Sequence, residues 1–278
     1  MGIVIRTNAT ALRTLRSLNK TSRSLNENMV KLSSGQRINS AKDDAAGLAI
    51  SQSLTAQTAS INQASRNSAD AISSLQIAEG AMGEVANTLV RMRELSMQSA
   101  SGQVSDGQRA FIHQEMDQLR QEVSRISEVT EFNGLSLLDG SLSGSGNTLS
   151  FQVGIQNTAN DRIGVNIGTL SSTGLGINTM SFTSQTASQN ALTKIDSAIN
   201  SISVERANLG AKMNRLQITI DNLASANENL SAANSRIRDV DVGSEMGNMV
   251  SNQILAQAGS AMLSQANALP QIALSLIG

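Results

Sequence analysis

Apolar residues recur three and four positions apart near both ends of this chain, the spacing that forms the seam of a coiled coil. Near the start the pattern predicts a helix over about 8–32, in which Ser22 takes one seam position. Near the end it predicts a helix from about residue 244, whose last apolar stretch is interrupted in sequence by Pro270 and by Gln and Ser. The residues that carry the two patterns are Leu15, Leu18, Leu25, Met29, Leu32, Met246, Val250, Ile254, Met262, Leu263, Leu269 and Leu274. A helix with so narrow a seam needs a partner, within the chain or in another chain.

The middle of the chain shows the same helical periodicity over longer stretches. It predicts three further helices, over about 45–100, 108–129 and 187–235. The first would be ~80 Å long at 1.5 Å per residue, far longer than an ordinary globular helix. Asp43 and Asp44 precede it, where carboxylates favour a helix N-terminus through capping and the helix dipole. Ser105 or Asp106 is expected to cap the second, and Phe111 is expected on the apolar face of that helix.

The stretch over 137–184 differs in character, because it is rich in Gly, Ser, Thr and Asn. Within it two runs of apolar residues alternate with other residues, and this predicts a β-hairpin with one buried face. The alternating residues are Leu149, Phe151, Val153 and Ile155 in the first run and Ile163, Val165 and Ile167 in the second. The Phe-Asn-Gly sequence over 132–134 predicts a tight turn.

The order of elements is nearly palindromic: short helix, connector, long helix, short helix, hairpin, long helix, connector, short helix. The simplest fold doubles the chain back on itself, which predicts a mainly α, elongated antiparallel helical bundle or coiled coil with a small hairpin at the reversal. The terminal helices would then pair with each other. The expected domains are a terminal coiled coil (1–34 and 244–278), two connectors (35–44 and 236–243), a central helical domain (45–136 and 185–235), and hairpin and loops (137–184).

Composition excludes several classes of function. Aromatic residues make up 1% of the 278 residues, with no Tyr or Trp, so an aromatic-lined ligand pocket is not expected. The net charge is −1 without a basic run, which argues against nucleic-acid binding. The chain has no Cys and one His, so it has little material for a metal site or for nucleophilic catalysis. No apolar stretch approaches the ~20 residues of a membrane span. We expect no cofactor, no metal, no membrane insertion and no catalysis.

Seven short motifs together resemble bacterial flagellin along nearly the whole chain. The most distinctive is LSSGQRINSAKDDAAGLAI over 32–50. The others are IRTNA over 5–9, RMREL over 91–95, FNG over 132–134, NLGA over 208–211, SRIRD over 235–239 and QAN over 265–267. Their combination and order make the resemblance specific.

The resemblance implies a secreted structural subunit of the extracellular bacterial flagellar filament. Family members are exported unfolded by the flagellar type III system, without a cleaved signal, and serve swimming motility. In the filament their terminal helices form an inner tube and their long helices an outer tube. The implied partners are other copies of the chain, the cap and hook-junction proteins, and an export chaperone.

The resemblance also gives roles to particular residues. The two connectors would lie between the inner and outer tubes, where polar contacts tune subunit geometry. The connector residues in question are Arg37, Asp43, Asp44, Arg236, Arg238 and Asp239. Arg91, Leu95 and Glu115 match positions through which a vertebrate innate immune receptor recognises the family. This chain departs from that pattern at Val90, where Gln is common, and at Leu119, where some members carry Arg.

Other interpretations of the same pattern remain open. A hook–filament junction protein shares the terminal helices, and a membrane-active secreted helical protein would also carry apolar helices. An enzyme is a third alternative, but the chain has too few convergent polar groups for one. Adjacent Asp43 and Asp44 at a helix start are typical of a cap and not of acid–base chemistry. The terminal apolar residues either form an ordinary intramolecular core or pack between subunits, and the resemblance to flagellin favours packing between subunits.

Overall fold

The structure, a computed structural model, describes residues 7–143 and 148–275, with side chains as far as residue 268. The described chain is mainly α-helical, as predicted. Its helices are α1 (Ala9–Ser34), α2 (Ala45–Ala100), α3 (Asp106–Val129), α4 (Gln185–Arg238) and α5 (Val242–Ser275). Its strands are β1 (Glu131–Phe132), β2 (Leu135–Ser136), β3 (Leu149–Gln152) and β4 (Arg162–Val165), with a 3-10 turn at Ala159–Asp161 before β4.

The helix boundaries lie within three residues of the predicted ones. α5 begins at Val242, two residues earlier than predicted, so the connector that precedes it is shorter. The backbone of α5 stays helical through Pro270 to Ser275. Proline removes one backbone donor, and the good helix formers around it continue the helix. Ser105 caps α3 in a capping box with Gln108, as the sequence predicted for this position.

The chain forms two compact units. The terminal unit comprises Met1–Thr58 and Glu228–Gly278, and the central unit comprises Ala59–Asn227. The central unit holds the main hydrophobic core, where residues of α2, α3 and α4 meet at alternating three- and four-residue spacing. Its fully buried members include Leu75, Ala78, Met82, Val85, Leu89 and Met92 of α2, Met116 and Val123 of α3, and Ile195, Ala198, Ile202, Leu209 and Leu216 of α4.

Phe111 does not join this core, contrary to the prediction from periodicity. Its side chain is 72% exposed, while Ile112 and Met116 are buried. Neighbouring helix positions differ by about 100° around the axis, so Ile112 and Phe111 cannot both face the core. One of the chain's four phenylalanines is therefore exposed on the surface.

Two antiparallel hairpins follow α3. β1 and β2 enclose the predicted tight turn, in which Asn133 and Gly134 both have positive φ. These strands of two residues are too short for a sequence pattern to reveal. β3 pairs with β4 as predicted, with Phe151 opposite Ile163. Ile155 breaks the expected one-sided alternation, because the strand ends before it and its side chain is 42% exposed.

The segment after β4 contributes more to the core than its composition suggested. Its apolar side chains are buried although the backbone is irregular. The buried residues are Ile167, Leu170, Leu175, Ile177, Met180 and Phe182. Phe182 is the largest buried side chain, and its ring lies 6.1 Å from the ring of His113, centroid to centroid. Beyond Ile167, which was predicted as part of the hairpin, the sequence predicted only loops here.

Candidate assembly surface and connectors

The terminal unit contains an antiparallel coiled coil of α1 and α5. At the start of α1 the side-chain amide of Asn8 donates to the carbonyl of Ala266 at 2.7 Å. At the other end of the coiled coil, next to the connectors, Lys31 lies 3.7 Å from Glu245. The residues shielded between the helices alternate three and four positions apart along both. They are Ala11, Thr14, Leu18, Thr21, Leu25, Asn28 and Leu32 on α1, and Glu245, Met249, Asn252, Ala256, Gly259, Leu263 and Ala266 on α5.

This seam differs from the predicted one along half of its length. Leu18, Leu25 and Leu32 lie in it as predicted, but Leu15 and Met29 are 42% and 53% exposed. Thr14, Thr21 and Asn28 occupy the intervening seam positions instead. Apolar spacing alone does not reveal small and polar seam residues.

On α5 most of the predicted packing residues also face outward. Leu263 lies in the seam, but Met246, Val250, Ile254 and Met262 are each more than 40% exposed. The side chains of Leu269 and Leu274 lie outside the described residues. The intramolecular seam of α5 consists mainly of small and polar residues. At Gly259 an added Cβ would lie 3.2 Å from Leu18 Cδ1, so the helices approach closely there.

Large apolar side chains left outside the seam form what we call the outer apolar set. Its members are Leu12, Leu15, Met29 and Val30 of α1, and Val242, Met246, Val250, Ile254, Leu255 and Met262 of α5. Each is 42–63% exposed. Ten of the twenty large apolar side chains that are exposed among the described residues therefore belong to this pair of helices.

Asn28 is the most deeply buried polar residue of the seam, at 7% exposed. In the amide orientation that satisfies its neighbours, its nitrogen donates to the carbonyl of Ser24 at 2.8 Å and to Glu245 Oε1 at 3.1 Å. Its oxygen accepts from Asn252 Nδ2 at 3.2 Å and from the backbone N–H of Met249 at 3.1 Å. Three of these four bonds cross from α1 to α5.

The two connectors hold each other through their backbones. Arg37 N–H donates to the carbonyl of Arg238 at 2.6 Å, and Val240 N–H donates to the carbonyl of Gly35 at 3.1 Å. The Arg37 guanidinium adds a bond to the carbonyl of Ile237 at 2.6 Å. These contacts make a short antiparallel bridge at Gln36 and Asp239.

The other predicted connector residues take different positions. Arg236 is exposed and contributes its carbonyl, which accepts from Arg37 at 3.3 Å. Arg238 is half-buried, and its Nε has no hydrogen-bond partner among the described residues. Asp239 contributes its backbone to the bridge. The structure therefore brings Arg37, Arg238 and Asp239 together through main-chain atoms, which sequence motifs do not reveal.

Asp43 and Asp44 both cap, but they cap different turns. Asp44 Oδ1 accepts from the N–H of Gly47 at 2.9 Å, in the first turn of α2. Gly47 has no room for a side chain, because an added Cβ would lie 2.4 Å from Asp44 Oδ2. Asp43 instead accepts from the N–H groups of Asn39 and Ser40, at 3.1 and 2.9 Å. Asp44 therefore caps α2 as the capping interpretation predicted, whereas Asp43 holds the connector turn that precedes the helix.

Acidification should release the turn that Asp43 holds. The backbone N–H of Ser40 is the main cause that lowers the pKa of Asp43 below its ordinary 3.8, and the N–H of Asn39 adds to it. A lowered folded-state pKa contributes stability above pH 3.8 that is lost as the pH falls through the folded value. We expect the Ser40 amide resonance to shift with a midpoint below pH 3.8 in a proton NMR titration. Asp43→Asn should remove that titration, and a midpoint at or above 3.8 would contradict the assignment.

The residues matched to receptor recognition divide between surface and core. Arg91 donates to Glu115 at 2.9 Å and to Glu94 at 3.1 Å, and all three side chains are about half exposed. The hydrogen bond with Glu115 raises the pKa of Arg91 above its ordinary value. Leu95 is 3% exposed and belongs to the core, so it has no surface to offer a partner directly.

Within 7–143 and 148–275 no cluster of three or more His, Cys, Asp or Glu could hold a metal ion. No helix in the described part of the chain is long and apolar enough to cross a membrane.

Two family models match the chain, described as the bacterial flagellin N-terminal helical region, over residues 5–143, and the C-terminal helical region, over residues 192–277. Among curated proteins, a flagellin of Halalkalibacterium halodurans is 45% identical, with 90% of each chain covered. A flagellin of Bacillus subtilis is 42% identical, with 97% of this chain and 98% of the relative covered. The flagellar filament 33 kDa core protein of Treponema phagedenis is 40% identical, over 99% of this chain and all of the relative.

Two solved structures share the architecture. The crystal structure of Bacillus cereus flagellin matches with a TM-score of 0.50 at 30% identity, covering 61% of this chain and 94% of that one. A putative flagellar hook-associated protein of Vibrio parahaemolyticus matches with a TM-score of 0.59, covering 71% of this chain and all of that one. At 16% identity the second match concerns the fold alone.

Proposed function

This chain belongs to the bacterial flagellin family and is a structural subunit of the flagellar filament. We propose that it polymerises through the outer apolar set of α1 and α5. The exposure of that set carries the proposal. The α1–α5 seam half-buries Leu18, Leu25 and Leu263 but leaves ten large apolar side chains in contact with water. Burying one such side chain fully is worth about 1.5–3 kcal/mol. Repeated at every subunit, these contacts would hold a polymer together.

The geometry of such contacts favours a filament over a closed oligomer. Contacts between unlike surfaces of identical subunits generate an open helical array when the rotation between subunits does not close. The members of the outer apolar set on α1 differ in sequence and number from those on α5. A contact between α1 of one subunit and α5 of its neighbour would therefore join unlike surfaces.

We assign the inner tube of the filament to the terminal unit and the outer tube to the central helices. The separation of the chain into two compact units, one of which holds both ends of the described chain, supports this assignment. The stretch 137–184 supplies a hairpin and a covering segment and no large additional domain.

The remaining parts of the proposal concern the cell. We infer that the chain is exported unfolded by the flagellar type III system, assembles outside the cell and serves swimming. A chain without cysteine needs no oxidative step after export. Export chaperone, cap and hook-junction proteins would be its partners before and during assembly. A hook–filament junction role is less well supported, because the relatives at 40–45% identity carry flagellin or filament names.

Electron microscopy tests the proposed function directly. The purified chain, seeded with short fragments of its own filaments or salted out, should give tubular helical filaments at micromolar concentration. The same chain after heat denaturation, with the same seeds, is the control for growth that does not need folded subunits. Soluble monomers under every seeding condition would contradict the proposal.

The vertebrate innate receptor is a further proposed partner, through the exposed Arg91 and Glu115. Arg91→Ala removes two ion pairs at this surface and should lower receptor-dependent reporter signalling by about tenfold, the equivalent of about 1.4 kcal/mol. Arg125→Ala, which removes an exposed ion pair with Glu122 on α3, is the matched control. Equal signalling by the two variants would exclude Arg91 from the epitope.

A further inference from the structure

Helix α1 carries two alternative rows of residues, either of which could face α5. They share Leu18, Leu25 and Leu32. One row completes the seam with Leu15, Ser22 and Met29, and the other completes it with Thr14, Thr21 and Asn28. Turning α1 by roughly 50° about its axis exchanges one row for the other, given about 100° per residue. Apolar burial alone favours the first row, because it would remove Leu15 and Met29 from water.

The structure nevertheless uses the second row. Leu15 and Met29 stay outside, and Asn28 is buried with hydrogen bonds to Glu245, Asn252 and the N–H of Met249. Something must offset the apolar burial that is lost. On this helix face the cross-helix bonds of Asn28 are the contacts that the first row cannot make, because the turn would carry the amide away from α5.

A buried asparagine in a coiled-coil seam lowers stability but restricts the pairing to the arrangement that satisfies its amide. If α1 turned to the apolar row, the partners of Asn28 on α5 would lose their bonds while still near the seam. An unsatisfied buried polar group costs more than a net hydrogen bond gains. The penalty therefore falls selectively on the apolar row.

We propose that Asn28, with Glu245 and Asn252, determines which face of α1 pairs with α5, and so keeps Leu15 and Met29 available to neighbouring subunits. This role rests on the proposed polymerisation, since it matters only if the outer apolar set has a use. Asn28 is a positioning residue, because it need not touch a neighbouring subunit itself. Identical presentation of the outer set by every subunit is what a regular helical array requires.

The absence of native cysteine allows the pairing to be read from engineered disulfides. A Cβ at Gly259 lies 3.9 Å from that of Leu18, which suits a disulfide, so Leu18→Cys/Gly259→Cys reports that the helices are paired. Three residues further along α1, and three residues back along the antiparallel α5, Thr21→Cys/Ala256→Cys reports the observed face. Ser22→Cys/Ala256→Cys reports the apolar face.

The test variant is Asn28→Ala in each cysteine background, and Asn19→Ala is its matched control. Asn19 is exposed on the same helix, so its replacement changes helix propensity equally without touching the seam. Disulfide fractions are measured in soluble subunits and in pelleted filaments separately. A second variant, Asn252→Ala, removes a partner of Asn28 and leaves α1 unchanged.

Asn28→Ala and Asn252→Ala should each shift the ratio of apolar-face to observed-face disulfides by about tenfold, the size expected from one net hydrogen bond. The Leu18–Gly259 disulfide should persist. Ratios equal to that of Asn19→Ala would overturn the proposal and leave the connector bridge to orient α1. Loss of all three disulfides would also overturn it, because Asn28 would then stabilise pairing without choosing a face.

The outcome is separable from that of the proposed function. Failure of the unsubstituted chain to form filaments would count against polymerisation, while the disulfide ratios in soluble subunits would still decide the role of Asn28. If both hold, Asn28→Ala should raise the concentration needed for filament growth, and Asn19→Ala should not.

Discussion

Replacing Leu15, Met29 and Ile254 together by glutamine should abolish filament formation while the subunit stays folded. All three side chains are 42–60% exposed, so their replacement removes no intramolecular core. Glutamine matches leucine and methionine in helix propensity, which keeps α1 and α5 helical. Each side chain is already about half shielded, so burying the rest between subunits is worth roughly half of 1.5–3 kcal/mol, and three such losses raise the critical concentration about fortyfold or more. Sedimentation of filaments across a concentration series measures this directly.

A conservative triple variant provides the control. Leu15→Met, Met29→Leu and Ile254→Leu keep the surfaces apolar, and this variant should polymerise within a few-fold of the parent concentration. The free energy of unfolding of both triple variants should stay within about 0.5 kcal/mol per substitution of the parent, as for surface positions. Normal filaments from the glutamine variant would show that the outer apolar set is not the polymerisation surface.

Phe182→Ala should have the largest effect on the stability of the central unit. Phe182 lies in the segment between β4 and α4, and its side chain is 2% exposed and packs in the core beside the ring of His113. Removing a buried phenylalanine costs about 3–5 kcal/mol, from lost transfer free energy and from the cavity left behind. For a unit of this size we expect the midpoint of thermal unfolding to fall by about 10 °C. Calorimetry or circular dichroism of the soluble subunit gives the measurement.

Phe111→Ala is the matched control for that loss, because it makes the same substitution at a side chain that is 72% exposed. Its unfolding midpoint should lie within about 2 °C of the parent value, as for a surface substitution. Equal destabilisation by the two variants would mean that Phe111 packs in solution or that Phe182 does not.

The helices of this protein could be predicted from sequence because their apolar residues repeat over many turns. α2 begins and ends where the pattern predicted, at Ala45 and Ala100, and Gly80 and Gly83 do not interrupt it. The β3–β4 pair was equally visible through alternation of its apolar residues. Long elements give many independent signals, so an error at one position does not change the assignment.

Short or irregular elements gave no comparable signal. β1 and β2 have two residues each, and the segment that buries Ile177 and Phe182 has no period at all. Burial there depends on which surface the chain meets after β4. The connector bridge between Arg37 and Arg238 was hidden for a related reason, because it is made by backbone atoms that every residue possesses.

The sequence by itself determined that the ends of this protein are helical, that they suit a coiled coil, and that they carry more apolar residues than one seam can bury. It did not determine which face of α1 turns inward. Two rows share Leu18, Leu25 and Leu32, and spacing cannot choose between them. The tertiary structure decided the face by bringing Glu245 and Asn252, from the far end of the chain, to the amide of Asn28. Hydrogen-bond partners so distant in sequence leave no periodic trace, whereas apolar faces do.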